Sequence, residues 1–428
     1  MDGGTVAVEV SEAAARDAVA GDSEAALVIA LGRAYHQSGV PSDQLEALMH
    51  AIADALGLEL QVTALPTSIT AAIGVAERQN VVLLRLEPGV IDLRRLAMLN
   101  AVYERILHHR IDANRVLAEV DAIANIRHTT SPAATILAYT ALSLGVGIIL
   151  GGGRNEIFAS GAIGLGTGTL SVFARVVPTI DRLFEVFAAF LATAIVTLYA
   201  HTVHALNVYV PLVAGVVQLL PGFQLTAALH ELAFRNLVAG TARLGSVFMT
   251  ILTLGSGFAL GIAVVGTSAL HMAPRATMMP LSWIAIGLAV LGVATGIAIL
   301  ENARLVDYPL VFGSCAVAEV AYRLFALLPA HQVATFGSAF VVGIVTALGA
   351  KYARIPQAVL LFPGLLVLVP GALSYESILY ILQSDAADAA AIAVSSAIGA
   401  VEIVMGVLLA QLFFSPARRD HAHAGDIV

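Results

Sequence analysis

The alternation of apolar and polar positions divides the chain into two unlike parts. Residues 1–128 mix short apolar stripes with frequent Asp, Glu and Arg, whereas residues 133–414 consist of long apolar runs whose charges lie mostly in short gaps. A helix needs roughly 20 apolar residues to cross a bilayer. The pattern therefore predicts a small domain outside the lipid, followed by a polytopic membrane region.

The first part has the pattern of an α+β domain. One helical stripe ends before Gly39, and a second runs from Ser42, a residue type that caps helices, to Gly57. The segments LELQVTAL, TSITAAIGV and NVVLLRLE then change to the period of short strands. Two more helices are predicted at about 92–109 and 112–127.

The second part contains ten candidate spans. They cover residues 133–150, 157–174, 184–204, 206–220, 243–267, 281–300, 308–328, 332–350, 357–369 and 389–414. Spans four and nine are short, with about 13 clearly apolar residues each against the roughly 20 that a helix needs. The predicted fold class is a polytopic α-helical membrane protein of about ten transmembrane helices with an N-terminal α+β domain.

The composition supports this fold class, and the distribution of basic residues predicts the orientation of the chain in the membrane. The chain is 58% hydrophobic and 12% charged, with a mean hydropathy of +0.87, whereas soluble domains carry about 25% charged residues. If the N-terminal domain is inside, the basic residues near the inner span ends are Arg127, Arg175, Arg182, Arg235, Arg243, Arg304, Lys351, Arg354, Arg418 and Arg419. Only Arg154 and Arg275 fall outside, in agreement with the positive-inside rule. Because the first 20 residues lack a signal-peptide pattern, we expect both termini in the cytoplasm.

Two Pro-Gly steps indicate an internal repeat. Pro221 and Pro370 stand 149 positions apart (370 − 221), and the same offset carries the tripeptide IVT at 195–197 onto IVT at 344–346. A unit of five spans reverses its direction in the membrane when it is repeated, so we predict two inverted five-helix repeats. The predicted domains are a tail at 1–24, a cytoplasmic domain at 25–128, repeats at 129–270 and 271–415, and a tail at 416–428.

The paired Pro-Gly steps mark a candidate substrate site. Proline lacks an amide donor and glycine allows sharp turns, so spans four and nine are expected to break at Pro221-Gly222 and Pro370-Gly371. Backbone groups that are freed inside lipid need partners from protein or from a water-filled cavity. In transporters, matching breaks in the two halves point to the substrate site. A packing kink without a ligand is the alternative.

Polar side chains near the breaks are further candidates for substrate contact. Glu231 and Arg235, one helical turn apart, could hold the ammonium and carboxylate of an amino acid, although we prefer a solvated pair on the inner face. Glu376 follows the second break. Thr197 and Thr346, related by the repeat offset, offer hydroxyls near mid-span, but helical threonines often bond the carbonyl four residues before them.

Acidic residues inside the spans are the candidates for proton coupling. Glu402 lies near the middle of span ten, where a carboxyl must be protonated, paired or facing a cavity. A carboxyl that alternates between two protonation states suits coupling, and a buried structural acid is the alternative. Glu319 and Arg323, one turn apart in span seven, are a second candidate set, for which we prefer a structural ion pair.

The order of these segments resembles the threonine/serine exporter family. The resemblance is carried by LGRAYHQSGVPSDQLEALMHAIADALGL, LPTSIT and GVIDLRRL in the first part, and by LLPG and HELAFRNLVAGTARL in the second. It covers about residues 25–414. It implies efflux of threonine and serine across a bacterial inner membrane, driven by the proton motive force, with five plus five spans. It fixes no coupling residue.

We therefore expect a secondary transporter rather than an enzyme, one that exports small polar amino acids by proton antiport with alternating access. The expected partners are the amino acid, protons and the lipid bilayer, and we expect no cofactor, metal or nucleic acid. The sequence does not decide whether the chain forms a homo-oligomer. An uncoupled facilitator or channel and a membrane-tethered hydrolase are the alternatives. Against the hydrolase, the N-terminal histidines lack an evident nucleophile and acid; they are His36, His50, His108 and His109.

Overall fold

The computed structural model describes residues 23–74, 79–108, 111–126, 130–202, 206–265, 282–328, 331–353, 357–368 and 386–414. The N-terminal part contains α1 (Ser23–Gln37), α2 (Ser42–Leu56), β1 (Leu60–Leu65), β2 (Ser68–Ile73), β3 (Asn80–Arg85), α3 (Leu93–His108) and α4 (Ala113–Ala124). This order confirms the predicted helices and the three predicted strands.

The three strands form one antiparallel sheet in the order β1-β2-β3. Leu65 pairs with Ser68 across a tight turn that contains Pro66, so the proline begins a reversal of the chain and does not interrupt a strand. Ile69 and Ile73 of β2 point toward the helices and are buried with the apolar stripes of α1 and α2. Every second residue of β2 is buried, so one face of the sheet is covered by the helices.

The membrane part follows the predicted runs, but the described residues give fewer full-length spans than the ten predicted. Its helices are α5 (Pro132–Ile149), α6 (Arg154–Ala174), α7 (Pro178–Arg182), α8 (Phe184–Thr202), α9 (Tyr209–Val216), α10 (Gly222–Ala233), α11 (Leu237–Val265), α12 (Trp283–Leu300), α13 (Tyr308–Phe325), α14 (His331–Ala353), α15 (Gln357–Leu368) and α16 (Ala386–Phe414). A 3-10 turn, Val217–Leu219, extends α9. Within the described residues, eight helices are long and apolar enough to cross a membrane, or nine spans if α9 and α10 count as one bent span.

Large apolar side chains cover the outside of the helix assembly. Ile284 is 78% exposed and Leu412 is 77% exposed, and similar residues occur on most of the long helices. A soluble protein does not expose apolar surface on this scale, so these faces are suited to lipid. The protein is therefore a multi-pass membrane protein with a small α+β region at its N-terminal end.

Small residues let the helices approach closely at two crossings. A Cβ atom on Gly406 of α16 would lie 2.5 Å from the carbonyl oxygen of Phe336 in α14. A Cβ atom on Gly257 of α11 would likewise overlap the carbonyl oxygen of Val186 in α8. Only glycine allows such contact between helix backbones.

Candidate functional site at the interrupted span

The fourth span is interrupted where the sequence predicts. Its two segments, Tyr209–Leu219 and Gly222–Ala233, meet at a bend of 59° beside Pro221. No side chain caps α10, and the carbonyl of Pro221 accepts the first helical hydrogen bond, from the amide of Leu225 at 2.8 Å. The first amides of α10 therefore have no intrahelical acceptor. The predicted break of span four is confirmed.

The predicted second break lies outside the described residues, and so do Pro370, Gly371 and Glu376. The helix before it, α15, ends at Leu368 and contains a further Pro-Gly step, which begins at Pro363 and which the sequence analysis overlooked. A proline inside a helix removes one hydrogen bond and leaves a carbonyl in need of a partner.

Side chains of α13 supply partners for the carbonyls around this overlooked step. The hydroxyl of Ser314 donates to the carbonyl of Leu360, and Cys315 Sγ lies 3.6 Å from the carbonyl oxygen of Pro363. On its other side, α15 contacts the first break, since the rings of Phe362 and Phe223 pack edge to face with centroids 5.2 Å apart. The interrupted fourth span therefore touches the Pro-Gly helix of the second half.

A buried carboxyl faces the first interruption. Glu301 follows the last residue of α12 and is 6% exposed. The amide Nε2 of Gln218, in the 3-10 turn before the break, donates to Glu301 Oε1 at 3.0 Å. Glu301 Oε2 is buried and has no hydrogen-bond partner within the described residues. Burial, with a smaller contribution from the negative charge of Asp92, raises the pKa of Glu301 to about 7 despite the hydrogen bond from Gln218.

The N-terminal domain docks against the backbone of the same residue and against its neighbour, Asn302. The backbone amide of Leu93 donates to the backbone carbonyl of Glu301 at 2.9 Å. The side-chain amide of Asn302, whose φ of 54° turns the chain after α12, donates to Asp92 Oδ2 at 3.1 Å. Asp92 is itself buried and accepts the backbone amide of Arg95 at 2.9 Å, as a cap at the start of α3. The start of α3 is thus attached to the end of α12.

A second buried acid joins the N-terminal domain to the inner segment of the fourth span. Glu231 of α10 is completely buried, and the Nε of Arg243 lies 2.9 Å from its Oε1 and 3.0 Å from its Oε2. The backbone amide of Ser42 also donates to Glu231 Oε1, at 3.0 Å. The expected pairing of Glu231 with Arg235, and its preferred interpretation as a solvated pair, are wrong. Arg235 is exposed and has a φ of 62° because α10 ends just before it, so its side chain leaves the helical register.

Histidines line the same contact between the domain and the membrane helices. Nδ1 of His230, the neighbour of Glu231, lies 3.5 Å from Asp43 Oδ2. His36 Nε2 lies 3.1 Å from the carbonyl oxygen of Leu65 at the end of β1. Burial lowers the pKa of His36, and the positive charge of Arg243 lowers it further. A neutral His36 can therefore stay buried next to a guanidinium.

The two threonines related by the repeat offset share an unusual environment. Thr197 of α8 is 0% exposed and Thr346 of α14 is 3% exposed. Neither Oγ1 has a hydrogen-bond partner within the described residues, so the expected bond to a helix carbonyl is not formed. By contrast, Thr193, one turn before Thr197, donates to the carbonyl of Ala189 at 2.9 Å. Buried hydroxyls without partners are uncommon because they lose their bonds to water.

The acids inside the spans differ in their surroundings. Glu319 and Arg323 of α13 form the expected ion pair, with Nε 2.5 Å from Oε1. Glu402 of α16 is half-buried and lies within hydrogen-bonding reach of the Thr335 side chain in α14. The break and Glu301 thus lie where the N-terminal domain and the two halves meet, whereas Glu402 lies between α14 and α16.

Sequence reasoning missed the residues that the fold brings to the break. It placed Arg243 only in the count of inner charges, treated Ser42 only as a helix cap, and gave Glu301 and Gln218 no role. Their partners are 12 to 189 positions away along the chain, so no local pattern connects them. The signal that was present is the placement of an acid, Glu301, at the end of an otherwise uncharged span.

Two family models match the chain. The model for the threonine/serine exporter matches residues 26–265, and a second, described as "Threonine/Serine exporter, ThrE", matches residues 285–413. The chain belongs to the threonine/serine exporter family. The first match ends with α11, and the second begins near the start of α12. The boundary between the two matches in this exporter-family chain therefore lies between its fifth and sixth membrane spans.

Relatives of this exporter-family protein include fungal membrane proteins. It is 28% identical over 373 residues to "Pheromone-regulated membrane protein 10" of Saccharomyces cerevisiae strain YJM789, which covers 83% of this chain and 47% of the relative. The protein of the same name from Eremothecium gossypii is 25% identical over 405 residues, covering 90% of this chain and 54% of the relative. The chain thus spans about half the length of the curated relatives it matches. No solved structure matches it significantly.

Proposed function

We propose that the protein is a transporter that exports threonine and serine in exchange for protons, with alternating access to the two sides of the membrane. Family membership supports the substrate class. The observation that carries the proposal is the 59° interruption of the fourth span, because helix ends inside a membrane bundle offer backbone dipoles to a polar solute. Both charged groups of an amino acid suit such dipoles.

The proposed architecture is a pair of inverted five-helix repeats. Gly257 and Gly406 are 149 positions apart (406 − 257), and each lets its helix, α11 or α16, press against the backbone of the third helix of its half. Gly215 of α9 and Gly364 of α15 are also 149 apart (364 − 215), and each packs against the second helix of its half. Contacts that recur at one offset support a duplicated structure with equivalent packing.

The proposed orientation places the N-terminal domain and both termini in the cytoplasm of a bacterial cell. The domain contacts Glu231, after four spans, and Glu301, after six. After an even number of spans the chain is back on the side of the membrane where it started. Glu231 and Glu301 therefore lie on the same side as the N-terminal domain that contacts them. The charge bias identifies this side as the inner one.

The proposed substrate path runs between the halves, past the break at Pro221 and Gly222. Thr197 and Thr346 contribute hydroxyls to it, since each is buried at an equivalent place in its half and has no hydrogen-bond partner in the described part of the chain. A substrate that carries a hydroxyl, an ammonium and a carboxylate could form hydrogen bonds with these two threonine hydroxyls. The hydroxyls would lose these bonds when the substrate leaves. Pro370, Gly371 and Glu376 of the second break are proposed to complete the path.

Glu402 is the proposed proton carrier within the membrane. It is half-buried and has no basic partner within the described residues, unlike Glu319, which is held by Arg323. A carboxyl that is not neutralised by an ion pair can exchange a proton at moderate cost, whereas Glu319 would first have to break its pair. We therefore propose a structural role for Glu319 and Arg323.

The full chain, purified and placed in proteoliposomes, tests this proposal. Vesicles loaded with one amino acid at a time, from a panel that includes threonine, serine, alanine, leucine and lysine, are followed for efflux with and without a pH gradient. The proposal expects efflux of threonine and serine that the gradient accelerates. Equal efflux with and without the gradient would instead support an uncoupled facilitator, and no efflux of either amino acid would refute the substrate class.

A further inference from the structure

We propose that Glu301 is the proton-binding switch at the cytoplasmic end of the pathway, and that its charge state is transmitted to the interrupted span through Gln218 and to the N-terminal domain through Asp92. This inference rests on the proposed proton-coupled export. It adds a carboxyl that lies outside the spans and controls the opening of the inner end.

The contacts of Glu301 place it between the two elements that would have to move. Its side chain receives a hydrogen bond from Gln218, next to the 59° break, and its backbone carbonyl receives one from Leu93 of the N-terminal domain. Glu301 therefore hydrogen-bonds both to the turn before the break and to the N-terminal domain. A change in the charge of its side chain acts on the turn before the break through the bond from Gln218, and on the N-terminal domain through the nearby charge of Asp92.

The surroundings of Glu301 favour its neutral form. It follows the C-terminal end of α12, where the helix dipole is negative, and Asp92 of the docked domain faces it with a further negative charge. Arg95 lies 3.6 Å from Asp92 and offsets part of that charge. Tyr139 of α5 also faces Glu301. An ionised carboxylate needs several donors, whereas Glu301 has one, and its buried Oε2 has none within the described residues.

The sign of the pH effect follows from these contacts. Burial raises the pKa of Glu301 from 4.5 to about 7 in the docked arrangement. In an opened arrangement, where water reaches the carboxyl, the pKa returns toward its ordinary value. The docked arrangement is therefore favoured most below pH 4.5, and this preference is lost as the pH rises toward 7. Between these limits, the ratio of docked to opened protein falls about tenfold for each pH unit.

The switch gives the proton a defined exit. In the docked arrangement Glu301 holds its proton. When the inner end opens, the O–H bond of the carboxyl breaks, the proton passes to cytoplasmic water, and the carboxylate is stabilised by that water. Repulsion between the new carboxylate and Asp92 then opposes redocking until a proton arrives from the pathway.

Three variants test the switch, with the pH on the cytoplasmic side as the variable. Glu301→Gln keeps the acceptor for Gln218 but cannot ionise, so threonine efflux should be slow and independent of this pH. Asp92→Asn removes the facing negative charge and keeps a capping oxygen, so the pH transition of the efflux rate should move to lower pH. Gln218→Met removes the donor that favours the carboxylate, so the transition should move to higher pH. Glu87→Gln, at an exposed acid in the loop before α3, is the matched control and should retain the wild-type transition.

The outcomes separate this inference from the proposed function. A wild-type protein that moves neither threonine nor serine under any gradient would refute proton-coupled export and, with it, a coupling role for Glu301. If the wild type exports but Glu301→Gln keeps the wild-type pH transition, only the role of Glu301 is refuted. If Glu301→Gln does not fold, the other two variants decide: opposite shifts support the switch, and shifts in one direction or no shift overturn it.

Discussion

Arg243 and Glu231 form a buried ion pair in which one guanidinium nitrogen lies within 3.0 Å of both carboxylate oxygens. The pair joins α10, the segment after the break, to α11. The backbone amide of Ser42 adds the N-terminal domain to the same carboxylate. Since Glu231 is fully buried, its charge depends on these two donors and not on water.

Removal of the guanidinium should destabilise the protein strongly. Arg243→Ala leaves a fully buried carboxylate with a single donor, so we expect a loss of about 3 kcal/mol in the free energy of unfolding. Arg235→Ala, at an exposed arginine on the same short stretch, should change it by less than about 0.5 kcal/mol. Thermal unfolding of the purified chains in detergent measures both. Equal stability of the two variants would show that the ion pair does not hold α10 in place.

The amide of Ser42 can be tested separately from its hydroxyl. Ser42 is the first residue of α2, a position that accepts proline, so Ser42→Pro removes the donor to Glu231 without breaking the helix. We expect faster protease cleavage between the domain and α5, because loss of a donor to a buried charge costs about 1–3 kcal/mol. Ser42→Ala retains the amide and removes a hydroxyl that has no partner within the described residues, so its cleavage rate should match the wild type. Equal rates for both variants would argue against docking through this bond.

Thr197 and Thr346 should matter for transport more than for folding. Thr197→Val and Thr346→Val keep the side-chain shape and delete hydroxyls that have no partner among the described residues, so stability should stay unchanged or rise by about 1 kcal/mol. If these hydroxyls contact the substrate, the KM for threonine efflux should rise about tenfold in the double variant. Thr193→Val is the matched control, since its hydroxyl already bonds Ala189. An unchanged KM in the double variant would remove the threonines from the substrate path.

Neutralisation of Glu402 should separate coupling from folding. Glu402→Gln keeps the contact with Thr335 and deletes the ionisable group, so we expect normal expression and loss of the response of threonine efflux to a pH gradient. Asp181→Asn, at an exposed acid in α7, should respond as the wild type does. Gradient-driven efflux at the wild-type rate in Glu402→Gln would exclude this residue from the mechanism.

Most of the fold could be predicted because its signals are local. Apolar runs such as 133–150 and 281–300 correspond to α5 and α12 almost residue for residue, since a span must satisfy its own backbone bonds within lipid. The break at Pro221 could be predicted for the same reason, because proline and glycine act on the backbone where they stand. The strand pattern after Gly57 was equally local.

The contacts of the candidate site could not be predicted, because they are made between distant segments. The helical spacing of Glu231 and Arg235 suggested a pair, but the helix ends between them and Arg243 takes the partner's place. Glu301 was overlooked because its burial comes from Gln218 and from the docked domain, 83 positions away in the case of Gln218. Nothing in either segment alone indicates that the other covers it.

The central claim is that the substrate passes the interruption in the fourth span, and substrate protection of a label at that place tests it most directly. Leu220→Cys puts a thiol at the break, and the one natural cysteine, Cys315, is fully buried, so the parent chain supplies the background rate. We predict that threonine and serine, but not lysine or leucine, slow the reaction of this thiol with a maleimide in proteoliposomes. The same labelling rate with and without saturating threonine, in vesicles that export it, would contradict the claim.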